Sequence, residues 1–179
     1  MENFILFVLL LILALALMWI LVPAFYGLPS VPTKRERIRW ALRLADLQPG
    51  EVFYDLGAGD GRALVIAAKE FGAQAVGIEI GPVQCLVCWL NAFRNRVRSQ
   101  VRVKRGNFFK AKISDADIVY IYATSKELVR LQTHLANQLR PGARVVTVGS
   151  DFPDWKAIKF NREELIFLYI MPPQYGRTI

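Results

Sequence analysis

Residues 53–62 read FYDLGAGDGR and join an apolar segment to a turn that consists largely of glycine. The apolar residues before the turn predict a buried strand, and Ala63–Ala68 (ALVIAA) predicts the helix that follows it. Gly57, Gly59 and Gly61 let the backbone take positive φ angles and approach a ligand closely. Because the free N–H groups at the start of a helix face such a ligand, the stretch predicts a cradle for an anion or a nucleotide.

Two acidic residues near the turn indicate which nucleotide it binds. Glu79 lies eighteen residues after Gly61, near the end of a second apolar segment, where nucleotide-binding sheets place an acid for the ribose hydroxyls. The dinucleotide fingerprint G-x-G-x-x-G fails, because its third glycine would fall on Arg62. Asp55 lies just before the turn, and a carboxylate there suits a cationic ligand better than a pyrophosphate.

The resulting pattern is D-x-G-x-G-x-G followed by a distant glutamate. It resembles the cofactor loop of class I S-adenosylmethionine (SAM)-dependent methyltransferases, so SAM is the expected cofactor. The alternative is a structural glycine turn in another kind of α/β protein.

The rest of the chain alternates apolar segments with helical patterns. Further strands are expected over 101–103, 117–123 and 143–149, and helices over 36–47, from Pro82 onward and over 126–139. Two final segments, 156–160 and 165–171, predict a hairpin. The pattern therefore predicts an α/β fold, a parallel sheet with helices on both faces and the hairpin at one edge. The resemblance to class I methyltransferases implies that this is their Rossmann-like seven-stranded sheet.

The first part of the chain differs from this pattern. Phe4–Val22 are nineteen apolar residues, and at ~1.5 Å per residue they would form a helix of about 28 Å, close to the ~30 Å bilayer core. A signal peptide would begin with basic residues, and none precedes Lys34. We therefore expect one N-terminal transmembrane anchor (1–23), a proline-rich linker (24–33) and a methyltransferase domain (34–179), with a buried helix or a signal peptide as alternatives.

The charge distribution predicts how this anchor is oriented. Basic residues follow the apolar segment closely, at Lys34, Arg35, Arg37, Arg39 and Arg43. The positive-inside rule then places the catalytic domain in the cytoplasm of a single-pass membrane protein. The start of the chain lacks a basic or serine-rich presequence, which favours a prokaryotic plasma membrane over an organelle.

A second basic run, Arg94–Arg105, holds six basic residues and no acid in a chain of net charge +8. Such a run is usually a solvated face, but beside a bilayer it suits anionic lipid headgroups. Nucleic acid is an unlikely partner, because the run lacks interleaved aromatic residues. Cys85, Cys88 and the single histidine, His134, are too few for a four-ligand zinc site, and no other metal is expected.

Four segments carry a closer resemblance. In chain order they are Pro29–Thr33, DLGAGDGR (55–62), VGIEIGP (76–82) and GARVVTVGSDFPDW (142–155). They are similar to the small membrane-associated lysine methyltransferases related to the mitochondrial enzymes that modify the proteolipid subunit of ATP synthase and the adenine nucleotide translocase. The resemblance implies a membrane-bound enzyme that transfers a methyl group to a lysine, with a membrane protein as its substrate.

The resemblance also implies site residues. Those expected to bind SAM are Thr33, Asp55, Gly57, Gly59, Gly61, Glu79, Asn107 and Phe108. Thr33 would lie near the methionine end of SAM, and Asn107 stands where many class I enzymes place an acid that contacts the adenine amino group.

Methyl transfer from a sulfonium is an in-line displacement that needs alignment rather than a metal. Tyr122 and Asp151 follow strands four and five at the carboxyl edge of the sheet, so we predict them as catalytic residues of the substrate channel. Phe108 and Trp155 are expected nearby as aromatic walls. Two alternatives remain open: a methyltransferase for a lipid, a quinone or another small molecule, and a non-catalytic SAM-fold module at a membrane.

Overall fold

The computed structural model describes residues 1–25, 33–176 and 178 of the 179-residue chain. The strands are β1 (Val52–Leu56), β2 (Gln74–Glu79), β3 (Val101–Arg105), β4 (Ile118–Tyr122), β5 (Arg144–Val148), β6 (Lys159–Asn161) and β7 (Ile166–Ile170). The helices are α1 (Glu2–Phe25), α2 (Arg35–Leu44), α3 (Arg62–Phe71), α4 (Pro82–Arg94) and α5 (Ser125–Gln138). One turn of 3-10 helix, Phe108–Lys110, lies between β3 and β4.

The seven strands form a single mixed sheet in the order β3-β2-β1-β4-β5-β7-β6. β1 to β5 are parallel, and β7 runs antiparallel to both β5 and β6. The predicted seven-stranded α/β sheet with an antiparallel pair at one edge is confirmed. Since β1 pairs with both β2 and β4, the strand order reverses at β1, and ligands of such sheets bind in the crevice outside the carboxyl ends at this point.

The sheet separates two hydrophobic cores, because successive side chains of a strand point to opposite faces. Phe53 of β1 lies in the core beneath α2, α3 and α4, while its neighbour Tyr54 lies in the core beneath α5. Helices therefore cover both faces, three on one side and one on the other.

α1 lies outside these two cores. Many of its apolar side chains are exposed, among them Phe4 and Leu10, and it meets the rest of the chain at α4. There the Gln84 Nε2 donates a hydrogen bond of 2.8 Å to the carbonyl oxygen of Trp19. In the part of the chain that the structure describes, no helix is long and apolar enough to cross a membrane, so the predicted transmembrane anchor is not supported.

The predicted linker falls largely outside the described residues. α1 continues to Phe25, two residues into the segment 24–33, and residues 26–32 are not described. The proposed boundaries between anchor, linker and domain stay predictions.

Candidate active site

The glycine turn lies between β1 and α3, at the point where the strand order reverses. Gly57, Gly59 and Gly61 have φ angles of 95°, 56° and 76°, a region in which other residues are strained. A Cβ on Gly61 would lie 2.8 Å from the Cys88 Sγ, so this glycine lets α4 pack against the turn. Among the described residues, a Cβ on Gly57 would meet only the Phe108 ring, at 3.9 Å, so these residues leave the backbone at this position uncovered.

Glu79 holds the turn in place. One carboxylate oxygen, Oε2, accepts a hydrogen bond of 2.8 Å from the Gly59 N–H. The other, Oε1, accepts from the N–H groups of Ile80 and Gly81, at 2.8 and 2.9 Å. Since a carboxylate oxygen accepts two hydrogen bonds, Oε2 retains one position for a ribose hydroxyl.

Asp55 lies on β1, the strand next to that of Glu79, and is only 4% exposed. Burial raises the pKa of Asp55 to about 8, and the negative charges of Glu79 and Asp60 act in the same direction. Among the described residues, neither Asp55 nor Glu79 forms an ion pair. A cationic ligand would supply the missing positive charge, so the acids present fit SAM, whose sulfonium carries that charge.

Arg62, which breaks the dinucleotide fingerprint, connects the turn to the segment before α2. Its guanidinium pairs with Asp60 at 2.6 Å and donates a hydrogen bond of 2.9 Å to the Thr33 carbonyl oxygen. Burial alone would raise the pKa of Asp60, but hydrogen bonds from Arg62 hold it below its ordinary value. Thr33 is thereby brought to the cradle, as the resemblance predicted for a cofactor contact, although its contact with SAM stays a prediction.

Phe108 and Asn107, both predicted to bind SAM, have different surroundings in the structure. Phe108 is buried next to Gly57, so its ring forms one wall of the cradle. The Asn107 Oδ1 accepts a hydrogen bond of 2.9 Å from the Phe109 N–H and so caps the short 3-10 turn. This capping explains an asparagine at position 107 without any adenine contact.

The cysteines serve the packing of the turn. The Cys88 thiol donates to the Gly59 carbonyl oxygen at 3.3 Å, and both cysteines are unpaired thiols. Burial raises the pKa of Cys88, as do the charges of Asp55 and Glu79. A reactive thiolate is therefore disfavoured at this position.

The two predicted catalytic residues lie at the carboxyl edge of the sheet. Tyr122 ends β4 and is 37% exposed, with the Arg37 guanidinium 5.8 Å from its ring centroid. Asp151 follows β5, the neighbouring strand, and is half-buried. Arg37 also donates a 2.8 Å hydrogen bond to the Glu164 carbonyl oxygen, which ties α2 to the β6–β7 turn beside this edge.

Trp155 does not line this edge. It is 2% exposed and packs with Phe152 and Tyr169 in the core beneath α5. The prediction of Trp155 as an aromatic wall is wrong, because the chain turns back into the core after Asp151.

Tyr120 is a candidate that the sequence analysis missed. It is the register partner of Asp55, so the two side chains leave the same face of the sheet. Its hydroxyl oxygen is buried and has no hydrogen-bond partner among the described residues, although the Thr33 side chain lies nearby. Burial raises the pKa of Tyr120, and the charge of Asp55 adds to the effect. The one signal in the sequence was a tyrosine between aliphatic residues at the centre of β4, IVYIY.

The fold and the cradle together define a class I SAM-dependent methyltransferase. Residues 55–159 match the model of the ANTKMT methyltransferase domain, and the chain belongs to that family. The predictions of the family, of a methyltransferase and of SAM as its cofactor are confirmed.

Relatives of known name agree with this assignment. A protein-lysine N-methyltransferase of Saccharolobus islandicus is 33% identical over 150 residues, which cover 80% of this chain and 93% of that protein. A lysine N-methyltransferase of Xenopus laevis that is named for an ATP synthase subunit is 31% identical over 128 residues, 72% of this chain but 56% of that protein. The chain thus spans little more than half the length of that vertebrate relative.

A solved structure is also similar. The crystal structure of an RNA methyltransferase from Salinibacter ruber in complex with S-adenosyl-L-homocysteine has 34% sequence identity and a TM-score of 0.78. The match covers 82% of this chain and 97% of that chain.

Gly57→Ala tests whether the turn faces the cofactor. A methyl group there would stand between the backbone and the ligand, so we expect roughly tenfold weaker SAM binding by calorimetry, with about 1 kcal/mol of lost stability from the positive φ. Gly142→Ala is the matched control, because Gly142 has a φ of 84° and open space around its Cβ position but lies before β5. Equal SAM affinities in the two variants would contradict the assignment of Gly57.

The raised pKa of Asp55 predicts that the affinity for SAM depends on pH. Only the ionised carboxylate attracts a cation, so affinity should rise on the order of tenfold between pH 6.5 and 8 and level off above the pKa of about 8. Calorimetric titrations across this range measure the effect. Asp55→Asn should flatten the profile, and a variant profile that parallels the original would refute the role of Asp55.

The same variant has an expected effect on stability. The unfolded chain ionises Asp55 near pH ~3.9, whereas the folded chain holds the proton up to about pH 8. The folded state binds more protons in this window, so Asp55 lowers stability as the pH rises from about 4 to 8. Asp55→Asn should therefore melt higher than the original protein at pH 8.

Tyr120→Phe tests the buried hydroxyl. Removing a polar atom without a partner should stabilise the unliganded protein by about 1 kcal/mol and so raise its melting temperature. If the hydroxyl contacts SAM, the further rise in melting temperature on adding SAM should be smaller in the variant than in the original protein. Tyr54→Phe is the control, since the Tyr54 hydroxyl donates to the Asp115 Oδ1 at 2.9 Å and its loss should lower stability without changing the SAM effect. A full SAM-induced shift in Tyr120→Phe would exclude a cofactor role for the hydroxyl.

Proposed function

We propose that this chain transfers the methyl group of SAM to the side-chain amine of a lysine in a protein. The observation that supports it best is the combination of the cradle with a match covering 93% of a protein-lysine N-methyltransferase. The family match over residues 55–159 includes Asp55, the three glycines and Glu79, and also Tyr122 and Asp151 at the carboxyl edge.

The cradle residues have separate tasks in this proposal. Bound SAM would supply a methyl group on a sulfonium cation: a nucleophile would bond to the methyl carbon in line with the S–C bond, which breaks and leaves the sulfur as a neutral thioether. Asp55 provides the negative charge that holds the cation, and Glu79 accepts a ribose hydroxyl at Oε2. The backbone of Gly57 approaches the ligand, and the Phe108 ring covers it on one side. Alignment by these fixed groups is the main source of rate in such a displacement.

The acceptor lysine must arrive as a neutral amine. Its ordinary pKa is ~10.4, so the site has to disfavour the ammonium form. The Arg37 guanidinium lies over the Tyr122 ring, at the edge where the acceptor would enter. The sulfonium lowers the pKa of an approaching ammonium, and Tyr122 and Asp151 line its route. Arg37 adds only part of a positive charge to this effect, because its guanidinium pairs with the Glu164 carboxylate at 3.5 Å.

We extend the proposal to a substrate located at a membrane. The Xenopus laevis relative is named for a subunit of ATP synthase, and the exposed apolar residues of α1 suit an enzyme that works beside other apolar surfaces. A location at a prokaryotic plasma membrane, with the catalytic domain in the cytoplasm, stays a prediction from the sequence.

RNA is a second candidate substrate. One observation favours it: the similar structure from Salinibacter ruber is described as an RNA methyltransferase and shares 34% identity. The net charge of +8 is compatible with a polyanion. The protein-lysine proposal keeps precedence, because the Saccharolobus islandicus relative matches nearly throughout its length and is named for lysine.

The deciding experiment follows a labelled methyl group. Purified enzyme and SAM with a labelled methyl are added to membranes, soluble protein and total RNA from a strain that lacks the gene. We expect label in a membrane protein, and peptide mass spectrometry should locate it on a lysine. Gly57→Ala should incorporate less label at limiting SAM, which shows that the signal comes from this cradle.

Three other outcomes would overturn the proposal in distinct ways. Label in RNA alone would establish the second candidate. Label in the lipid extract alone would indicate a lipid or quinone acceptor. No label in any fraction, with SAM binding intact, would indicate a non-catalytic module.

A further inference from the structure

α4 presents its large apolar side chains away from the core. Its buried residues are Gln84, Cys88 and Ala92, all small or polar. Leu86, Trp89, Leu90 and Phe93 follow the helical spacing i, i+3, i+4 and i+7, yet they are 55%, 43%, 41% and 57% exposed. A continuous stripe of this size on a helix surface marks an interaction site rather than core packing.

Arginines flank the stripe at its carboxyl end. Arg94, Arg96 and Arg98 are exposed, and with Phe93 and Ser99 they line a cavity of 490 Å³. None of the three arginines pairs with an acid among the described residues. The cavity therefore combines an apolar wall with three guanidinium groups, which suits a phosphate attached to an apolar body.

We propose that this surface docks onto an anionic lipid bilayer. We call it the α4 face: Leu86, Trp89, Leu90 and Phe93 with Arg94, Arg96 and Arg98. The apolar stripe enters the boundary between headgroups and acyl chains, and a lipid phosphate occupies the arginine cavity. The inference concerns where the enzyme works and does not depend on which group it methylates.

The position of α1 supports a bilayer as the occupant. α1 contacts α4, and its exposed side chains are apolar along most of its length. The two helices thus present neighbouring apolar surfaces, and a bilayer can cover both at once.

The aromatic geometry argues against stacked RNA bases. Trp89 and Phe93 stack on each other with ring centroids 5.8 Å apart and an interplanar angle of 13°. The Arg98 guanidinium lies 5.5 Å from the Trp89 ring centroid. The faces that the two rings turn to each other are therefore closed to RNA bases, and Arg98 competes for the Trp89 ring.

Charge argues against a second copy of the chain. A symmetric dimer through the α4 face would bring the same three arginines of both copies to one interface. With no acid in the run 94–105 to compensate them, the like charges would repel.

The first measurement is partitioning of the full chain onto phosphatidylcholine vesicles with and without phosphatidylglycerol. The triple variant Arg94→Gln, Arg96→Gln, Arg98→Gln should lose most of the preference for phosphatidylglycerol, by roughly 10- to 100-fold. The control variant Lys110→Gln, Lys112→Gln, Lys126→Gln removes the same charge from exposed residues on the α5 side and should keep the preference. Equal losses in both variants would overturn the proposal in favour of general charge attraction.

The second measurement locates the docked surface. An environment-sensitive dye is attached at Leu90→Cys or, as the control, at Val129→Cys on α5, both in a Cys85→Ser background, since Cys88 is buried. The dye at position 90 should shift to the blue and be quenched by lipid-borne quenchers, whereas the dye at position 129 should not. The proposal would be overturned if the dye at position 129 entered the bilayer instead, or if RNA without lipid shifted the spectrum of the dye at position 90. It would also be overturned if that spectrum shifted without lipid while the molecular mass of the protein doubled.

Discussion

The hydrogen bonds that Glu79 accepts are the constraint on which the rest of the site depends. One carboxylate receives N–H groups from the turn after β1 and from the two residues that lead into α4. The glycine turn, the end of β2 and the start of α4 are thereby fixed at one point. The parallel sheet supplies this point, because Asp55 and Gly77, two residues before Glu79, are register partners at the carboxyl edge.

The same arrangement places Asp55, Glu79 and Asp60 close together, which disfavours the ionised form of Asp55 until a cation binds. Asp55 is buried beside the charges of Glu79 and Asp60, which is why its pKa is raised to about 8. Of these three acids, only Asp60 has a cationic partner among the described residues, namely Arg62. Below about pH 8 the unliganded chain avoids this repulsion because Asp55 keeps its proton, and a bound cation favours the ionised carboxylate and so lowers the pKa of Asp55.

The sequence was most informative where chemistry fixes the residue type. A turn with three glycines and an acid on each neighbouring strand has few interpretations, so the cradle and the sheet were predictable from FYDLGAGDGR and Glu79. Tyr120, Arg37 and the Arg62–Thr33 hydrogen bond were not, because they depend on which strand or helix lies alongside. Trp155 was misplaced for the same reason, since an aromatic residue after a strand fits a site wall and a core equally well.

The outward stripe of α4 follows from the demands of the cradle. The inner side of α4 contacts the turn closely: Cys88 lies against Gly61, and the Asn91 Nδ2 donates to the Asp60 carbonyl oxygen at 2.8 Å. Leucine or tryptophan at the inner positions would push the turn away from Glu79. The inner side of α4 accordingly carries small or polar residues, and its large apolar residues face outward. The packing against the glycine turn and the outward apolar stripe are thus two sides of one helix of thirteen residues.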